Sequence, residues 1–212
     1  VNGTQRHRRE MPSPDSLSEQ RSAIRRQLLR ARRSVDAATR AAFRTAAVEF
    51  ALSDPRIRRA RSVAVYHAMR TEAPTDALIR TLWRQGKQVF LPIVRGRRMR
   101  FVRYGPDARL HSRAIGMHEP RGTWLASSRQ LDVVFLPLTG FDLQGNRLGL
   151  GGGFYDRTFA TSRAGGRIWH RPKLIGLAFS VQGVDRLPIA AHDVPLHGIV
   201  TELGAIDFPA TG

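Results

Sequence analysis

Apolar residues recur with helical spacing near the start of the chain. They stand at i, i+4, i+7 and i+11 and are Ile24, Leu28, Ala31 and Val35. This spacing predicts a helix with one apolar stripe and with its arginines on the opposite face. Asp36 is a suitable N-cap for a second, alanine-rich helix that reaches Leu52 and ends before Asp54 and Pro55. The chain is therefore expected to begin with a helical pair.

After residue 60 the pattern changes to short β runs. The predicted strands cover residues 62–67, 88–94, 99–104, 132–138, 173–180 and 198–202, with a helix over residues 76–85. Arg95 and Gly96 are typical of a hairpin turn. The runs at 132–138 and 173–180 are continuously apolar, as in strands covered on both faces. The pattern predicts an α/β fold of three layers (α/β/α), with a mostly parallel central sheet and the helical pair packed against it.

The domain division follows from the same pattern. Residues 1–18 are polar, contain two prolines and have no apolar period, so we expect a disordered leader. Residues 19–206 form a single α/β domain in this interpretation, and residues 207–212 a loose C-terminus. We find no internal repeat.

Composition narrows the function classes. The chain has no cysteine, which excludes thiol catalysis and zinc–thiolate sites. Its apolar runs are far shorter than the roughly 18 residues of a membrane span, so we expect a cytoplasmic protein. The net charge of +18 could serve nucleic acid, a solvated surface or a polyanionic small substrate. Because only 8% of residues are aromatic and no nucleic-acid-binding motif is present, no specific nucleic-acid partner is expected.

The most unusual segment is FDLQGNRLGLGGGFYDR, residues 141–157, which follows the predicted strand 132–138. Ligands of open α/β sheets lie at the carboxyl ends of strands. Its five glycines allow close backbone approach and could form an anion site before a helix that starts at Phe154. The alternative is a tight strand-to-helix connection. Neither G-x-x-x-x-G-K-[ST] nor a properly placed G-x-G-x-x-G is present, so a nucleotide site would be of another type.

Two charged residues flank the glycines. Arg147 could pair with a phosphate, whereas Asp156 would repel an anion unless a cation lay between them. Mg²⁺ is the candidate cation, because it takes one or two carboxylates and completes its shell with phosphate and water. The alternative for Asp156 is a helix cap.

The run RLGLGGGFYDR, residues 147–157, after VVFLPLTGFD resembles the signature of the 5-formyltetrahydrofolate cyclo-ligases, or methenyltetrahydrofolate synthetases. Further segments fit in order across about residues 20–202. They are RSAIRRQLLRARR, VAVYHAMRTEAPTDALIRTLWRQGKQVFLP, KLIGLAFSVQ and HDVPLHGIVTE. The resemblance implies a fold like that of NagB, RpiA and the CoA transferases, and a reaction that needs ATP and Mg²⁺. In that reaction the formyl oxygen attacks the γ-phosphate, and nitrogen 10 then closes the ring to 5,10-methenyltetrahydrofolate, with release of ADP and phosphate.

The resemblance also implies site residues. The ATP contacts would be Arg21, Arg25, Arg147, Leu148, Gly149, Leu150, Gly151, Gly152, Gly153, Phe154 and Tyr155. The folate contacts would be His67, Glu72, Leu150, Gly151, Gly152, Gly153 and Phe154. Arg147 and Tyr155 would be catalytic, and Asp156 would bind Mg²⁺. From position alone, Glu72 could instead be an acid that favours the N-terminus of the helix at 76–85.

Three positions depart from the family pattern. Arg21 stands for the usual lysine, Phe154 for a frequent tyrosine, and His197 for a second aspartate. Because histidine is a poor ligand for Mg²⁺, the expected metal set is Asp156 with ATP oxygens and waters, and Asp193 helping through a water. These departures leave an inactive relative or regulator that binds ATP or folate as the main alternative. An ATP-dependent ligase or kinase of the same fold is another. We expect a monomer.

Overall fold

The computed structural model describes residues 14–112, 118–120, 125–160 and 172–209. The helices of this part are α1 (Pro14–Arg33), α2 (Ala37–Ser53), α3 (Pro55–Arg59), α4 (Asp76–Arg84) and α5 (Phe154–Phe159). None of these helices is both long enough and apolar enough to cross a membrane.

The strands follow the predicted runs, with shorter additions between them. They are β1 (Ser62–Ala64), β2 (Gln88–Arg95), β3 (Arg98–Arg103), β4 (Leu110–Ser112), β5 (His118–Pro120), β6 (Leu125–Ala126), β7 (Val133–Pro137), β8 (Gly140–Phe141), β9 (Arg147–Leu148), β10 (Lys173–Leu177), β11 (Gly198–Thr201) and β12 (Gly204–Asp207). Eight of them form one sheet in the order β12-β11-β10-β7-β1-β2-β3-β6. The five strands from β11 to β2 in that order run parallel, and β12, β3 and β6 are antiparallel to their neighbours. The predicted α/β fold with a mostly parallel sheet is confirmed.

The sheet has a buried core on each face. In β7, Val133 and Phe135 pack with the core that α2, α3 and α4 cover, whereas Val134 and Leu136 point to the opposite core. Phe159 of α5 belongs to that second core, where its ring lies 6.2 Å from the ring of Phe101. Successive residues of a strand point to opposite faces, so a continuously apolar run is the pattern of a strand buried on both sides.

Helix α1 packs where β7 leads into the glycine-rich segment. The buried side chain of Leu28 lies so close to Gly140 that an added Cβ would come within 2.3 Å of it. Arg32, one turn further along the helix, is also buried. The prediction that the arginines of this helix lie on the face opposite the apolar stripe was therefore wrong for Arg32, and Arg21 and Arg25 are half-buried. A long side chain can follow an apolar surface and carry its charge to a polar partner.

The predictions for the α2 cap, the hairpin turn and the two chain ends can be compared with the structure. Asp36 caps α2, because its carboxylate accepts a hydrogen bond of 2.7 Å from the Thr39 amide. Gly96 has a φ of 59° in the turn between β2 and β3, as the predicted hairpin requires. Strand β12 was not predicted, and it includes Asp207, the first residue of the expected loose C-terminus. The leader predicted for residues 1–18 overlaps the first turn of α1, and its residues 1–13 lie outside the described ones.

Candidate active site

The glycine-rich segment connects β9 to α5. Gly151 has a φ of 109° and Gly153 a φ of 59°, values that residues with a side chain rarely adopt. Gly153 is the N-cap of α5, so the predicted helix start at Phe154 is confirmed. Leu150, Gly151 and Gly152 are exposed, and the loop 149–153 therefore presents backbone to a ligand.

Two arginines of α1 reach this region. Arg25 donates a hydrogen bond of 2.9 Å from Nε to the carbonyl oxygen of Gly149, and its guanidinium lies beside Gly151. Arg21 makes two hydrogen bonds, of 2.5 and 3.1 Å, to the carboxylate of Asp193. Burial and the nearby charge of Arg21 lower the pKa of Arg25. Two cations held close together in a half-buried place indicate a site for an anion.

Asp193 lies in the segment between β10 and β11. Burial alone would raise the pKa of its carboxyl group, but hydrogen bonds from Arg21 and from the amide of Ala190 outweigh burial and lower it. Arg21 also donates to the carbonyl oxygen of Pro188 at 3.2 Å. This ion pair ties α1 to a segment more than 160 residues away in the chain.

Arg147 and Asp156 form a second ion pair, on the other side of the glycine loop. Nη2 of Arg147 lies 2.7 Å from Oδ1 of Asp156, and the same oxygen accepts a bond of 3.1 Å from the amide of Val194. The Arg147 side chain is only 4% exposed. Its Nε is buried and has no hydrogen-bond partner in the part of the chain that the structure describes. A buried donor without a partner is costly, so this guanidinium has capacity for an acceptor that a ligand would bring.

The surroundings of Asp156 fit a cation that arrives with a phosphate. Both hydrogen bonds of its carboxylate end on Oδ1, which leaves Oδ2 without a hydrogen bond among the described residues. Those residues contain no cluster of three histidine, aspartate or glutamate side chains that could hold a metal ion by themselves. Mg²⁺ commonly uses one or two carboxylates together with substrate phosphates and water, so this donor set suits that ion.

His197 has a structural role at the start of β10 and β11. Its Nδ1 accepts a hydrogen bond of 3.0 Å from the amide of Leu174. Burial and the charges of Lys173 and Arg56 lower its pKa to about 4, so the ring is neutral at neutral pH. The chain thus has a histidine that joins two strands where the family pattern has an aspartate.

Glu72 lies on the loop between β1 and α4 and is 5% exposed. Its Oε2 accepts a hydrogen bond of 2.9 Å from the amide of Met69. Burial raises the pKa of the carboxyl group, while that hydrogen bond and the charge of Arg32 act in the opposite direction. Because the carboxylate binds the turn before it and Thr75 is the N-cap of α4, the alternative of a helix-favouring acid is not supported.

The charge of Glu72 acts on two tyrosines. Burial and the negative charge of Glu72 raise the pKa of both Tyr66 and Tyr155. The positive charge of Arg147 acts on the pKa of Tyr155 in the opposite direction. His67 is half-buried on the loop that carries Glu72. Glu72 and Arg147, which were predicted for folate and for ATP, therefore both act electrostatically on Tyr155.

The sequence analysis missed two arginines that contact residues of the candidate site. Arg157 donates bonds of 2.6 Å to the carbonyl oxygen of Gly152 and 2.8 Å to that of Arg97, and its guanidinium lies 5.0 Å from the ring centre of Phe154. It therefore joins the glycine loop to the β2–β3 hairpin and covers one face of the ring expected to stack on folate.

Arg32 is the second arginine that the sequence analysis missed. The sequence feature that could have indicated Arg32 is its helical spacing, which places it on the same face of α1 as Arg21, Arg25 and Leu28.

Comparison with known proteins identifies the family and the fold. A model of the 5-formyltetrahydrofolate cyclo-ligase family matches residues 17–202. The chain belongs to this family. The predicted family membership is confirmed, and with it the prediction of a cyclo-ligase at the level of the family.

Relatives in distant organisms agree with this assignment. The 5-formyltetrahydrofolate cyclo-ligase of Haemophilus influenzae is 34% identical over 190 residues, which cover 86% of this chain and 98% of that protein. The protein of the same name from Escherichia coli K12 is 38% identical over 155 residues, covering 69% of this chain and 81% of that protein. The NMR structure of 5,10-methenyltetrahydrofolate synthetase from Aquifex aeolicus superposes with a TM-score of 0.76 at 27% identity, covering 91% of this chain and 94% of that one.

Proposed function

We propose that this chain converts 5-formyltetrahydrofolate into 5,10-methenyltetrahydrofolate with the consumption of ATP, in the presence of Mg²⁺. The observation that carries the proposal is the set of charged groups around the glycine loop, where Arg25 binds the carbonyl oxygen of Gly149 and Arg147 pairs with Asp156. The charge of the buried Glu72 acts on Tyr155, the residue next to Asp156. This arrangement suits a reaction that brings a triphosphate to an oxygen atom of a second substrate.

The phosphate-binding side would consist of residues 147–155 with Arg21 and Arg25. Phosphoryl transfer requires positioning and neutralisation of charge more than covalent assistance from the protein. Arg25 and the backbone amides of the loop would orient the phosphates, and Arg147 would offer the buried Nε that lacks a partner among the described residues. Asp156 would hold Mg²⁺, which neutralises phosphate charge when bound.

The folate side would consist of Glu72, His67 and the exposed loop residues 150–154. An ionised carboxylate accepts hydrogen bonds only, so Glu72 would bind adjacent N–H donors of the pterin ring. The ring of Phe154 supplies a stacking surface, with Arg157 covering its other face. Tyr155, whose pKa is raised, keeps its proton and would donate a hydrogen bond.

The overall step balances without another reactant. The formyl oxygen bonds to the γ-phosphorus as the bond to ADP breaks. Nitrogen 10 then attacks the formyl carbon, its proton is released, and the carbon–oxygen bond breaks as phosphate leaves. Phosphorylation is required because an amide oxygen is a poor leaving group. The protein's part is to align the two substrates and exclude water.

An absorbance assay for methenyltetrahydrofolate tests the proposal. Purified protein with 5-formyltetrahydrofolate should form product only when ATP and Mg²⁺ are both present, and one phosphate should appear for each product molecule. Calorimetric binding of each substrate should accompany the assay. Binding of ATP or folate without turnover would support the alternative of an inactive relative or regulator. The expected monomeric state and cytoplasmic location stay predictions.

A further inference from the structure

Arg32 is a buried arginine that contacts the Glu72 turn and the end of β7. Its Nη2 donates a hydrogen bond of 3.2 Å to Oγ1 of Thr71, next to Glu72, and its Nη1 lies 3.9 Å from Oε1 of Glu72. Nη1 also reaches the carbonyl oxygen of Leu138 at 3.5 Å, just after β7. The side chains of Arg32 and Glu72 are each 5% exposed. Arg32 therefore links the Glu72 turn to the chain that leads into the glycine loop.

Stability alone does not explain this buried pair. The two charged groups are 3.9 Å apart, which is too long for a hydrogen bond, and Nε of Arg32 has no partner in the described ranges. Burying two charges with such incomplete hydrogen bonding costs more than a close pair returns. The effect of Arg32 on the Glu72 carboxylate is a better explanation for a buried arginine at this position.

The groups that face Glu72 come from four elements or loops. Arg32 approaches from α1, Tyr66 from the chain after β1, and Tyr155 from α5, while the Met69 amide binds the carboxylate within its own turn. Arg40 of α2 also contacts this turn, but it binds the backbone oxygens of Glu72 and Thr71. Both tyrosines are uncharged at neutral pH, since the ordinary tyrosine pKa of 10 is already well above 7 and burial raises it further. The positive charge of Arg32 lowers the pKa of the Glu72 carboxyl group, against the effect of burial.

We propose that Arg32 is a positioning residue of the cyclo-ligase reaction, which holds the carboxylate of Glu72 in the charged arrangement that binds folate. The inference rests on the proposed function and extends it to a residue that makes no predicted contact with either substrate. Arg32 acts on the folate side, whereas Arg21 and Arg25 of the same helix serve the phosphate side.

A change at Arg32 should therefore separate the two substrates. Without the guanidinium, burial would raise the pKa of Glu72 further, and the carboxyl group would take up a proton at a higher pH. Arg32→Met should move the pH midpoint of folate binding upward by about one unit and weaken binding by up to about tenfold, the largest loss that such a shift can produce. The KM for ATP should change by less than about twofold.

Arg40→Met is the matched control. It removes an arginine that holds the same turn through backbone oxygens and that lies 5.0 Å from the ring centre of Phe179, without touching the carboxylate. It should lower the thermal midpoint of unfolding and leave the pH midpoint of folate binding in place. Arg32→Lys keeps a positive charge with different geometry, so it should recover part of the wild-type pH profile.

The experiment measures the dissociation constant of 5-formyltetrahydrofolate between pH 5.5 and 8.5 for the wild type and the three variants, with the KM for ATP. Circular dichroism checks that each variant is folded, and Arg32→Lys carries the test if Arg32→Met is not. Equal losses in Arg32→Met and Arg40→Met with unmoved pH midpoints would overturn the proposal. Wild-type protein that binds folate without turnover would overturn the proposed function alone, because the binding profiles still test Arg32. Wild-type protein that binds no folate would overturn both.

Discussion

At the scale of single residues, two of the cations predicted for phosphate are paired with carboxylates. Arg21 is paired with Asp193, and Arg147 with Asp156. A triphosphate that enters the site would bring negative charge next to both aspartates, which opposes binding unless a cation accompanies it. This gives Mg²⁺ a physical reason to bind at Asp156.

Replacement of Asp156 by asparagine tests whether the rate depends on Mg²⁺ bound at this carboxylate. Asp156→Asn keeps an oxygen for the Val194 amide but removes the charge that faces Arg147 and the cation. We expect kcat to fall by about 100-fold and the Mg²⁺ concentration for half-maximal rate to rise, since charge neutralisation supplies much of phosphoryl-transfer catalysis. Steady-state rates over a Mg²⁺ titration measure both effects. Asp185→Asn, at an exposed position, is the control, and equal behaviour of the two variants would contradict the metal assignment.

His197 should make stability depend on pH. Its folded-state pKa of about 4 lies below the ordinary value of 6.5, so the unfolded chain binds a proton that the folded chain does not between these values. Stability should therefore fall as the pH is lowered from about 6.5 towards 4. Because the ring is partly exposed, we expect a contribution of about 1–2 kcal/mol, less than the full shift would give.

His197→Asn should remove this contribution, since an amide oxygen can still accept from the Leu174 amide. Urea unfolding at pH 7.5, 6.5, 5.5 and 4.5 measures it as a difference between variant and wild type. His192→Asn, at an exposed histidine, is the matched control. Parallel stability curves for His197→Asn and the wild type would show that the ring does not titrate as inferred.

At the scale of secondary-structure elements, helix α1 carries the three arginines that serve the site. Arg21, Arg25 and Arg32 share a helical stripe with Leu28, whose side chain packs against Gly140. The position of this helix therefore sets the geometry on both the proposed phosphate side and the proposed folate side. The absence of a side chain at Gly140 is what allows Leu28 to approach so closely.

Gly140→Ala should displace α1. The new Cβ would come within 2.3 Å of Cδ1 of Leu28, which is 3% exposed and has little room to move. We expect a loss of about 1–3 kcal/mol in the free energy of unfolding and a raised KM for ATP, because Arg21 and Arg25 move with the helix. Urea unfolding and steady-state kinetics measure the two effects.

Gly105→Ala is the control for that variant, because nothing lies within 4 Å of the added Cβ and its φ is not in the left-handed region. The double variant with Leu28→Ala should lose less stability than the sum of the single changes, since the clash then disappears. Strict additivity would contradict the account of how α1 is placed.

The sequence allowed most elements to be predicted, and the exceptions have physical reasons. Continuous apolar runs identified β7 and β10 because both faces of those strands are buried. Strand β12 was not predicted because its residues are exposed or half-buried. Its sequence therefore does not show the alternation of apolar and polar residues that indicates a strand. The burial of Arg32 was not predicted because helical spacing shows which residues share a face and not what that face meets.

At the scale of the whole molecule, the candidate site is assembled from segments that are far apart in the chain. Arg25, Glu72, Arg147 and Asp193 each come from a different segment, and the sheet topology brings them together. Local patterns could indicate the glycine loop, since Gly151 and Gly153 adopt the positive φ values that its composition suggested. The ion pairs Arg21–Asp193 and Arg147–Asp156 could not be predicted from spacing, because they depend on tertiary contacts.

The proposed site has a phosphate side at Arg25 and the glycine loop and a folate side at Glu72. The most direct test is the KM for ATP and for 5-formyltetrahydrofolate in Arg25→Met and Glu72→Gln, with the exposed Arg26→Met as control. Arg25→Met should raise the KM for ATP by about 10- to 100-fold and leave that for folate within about twofold, and Glu72→Gln should do the reverse. Equal effects of both variants on both substrates, or no effect of either, would contradict the account.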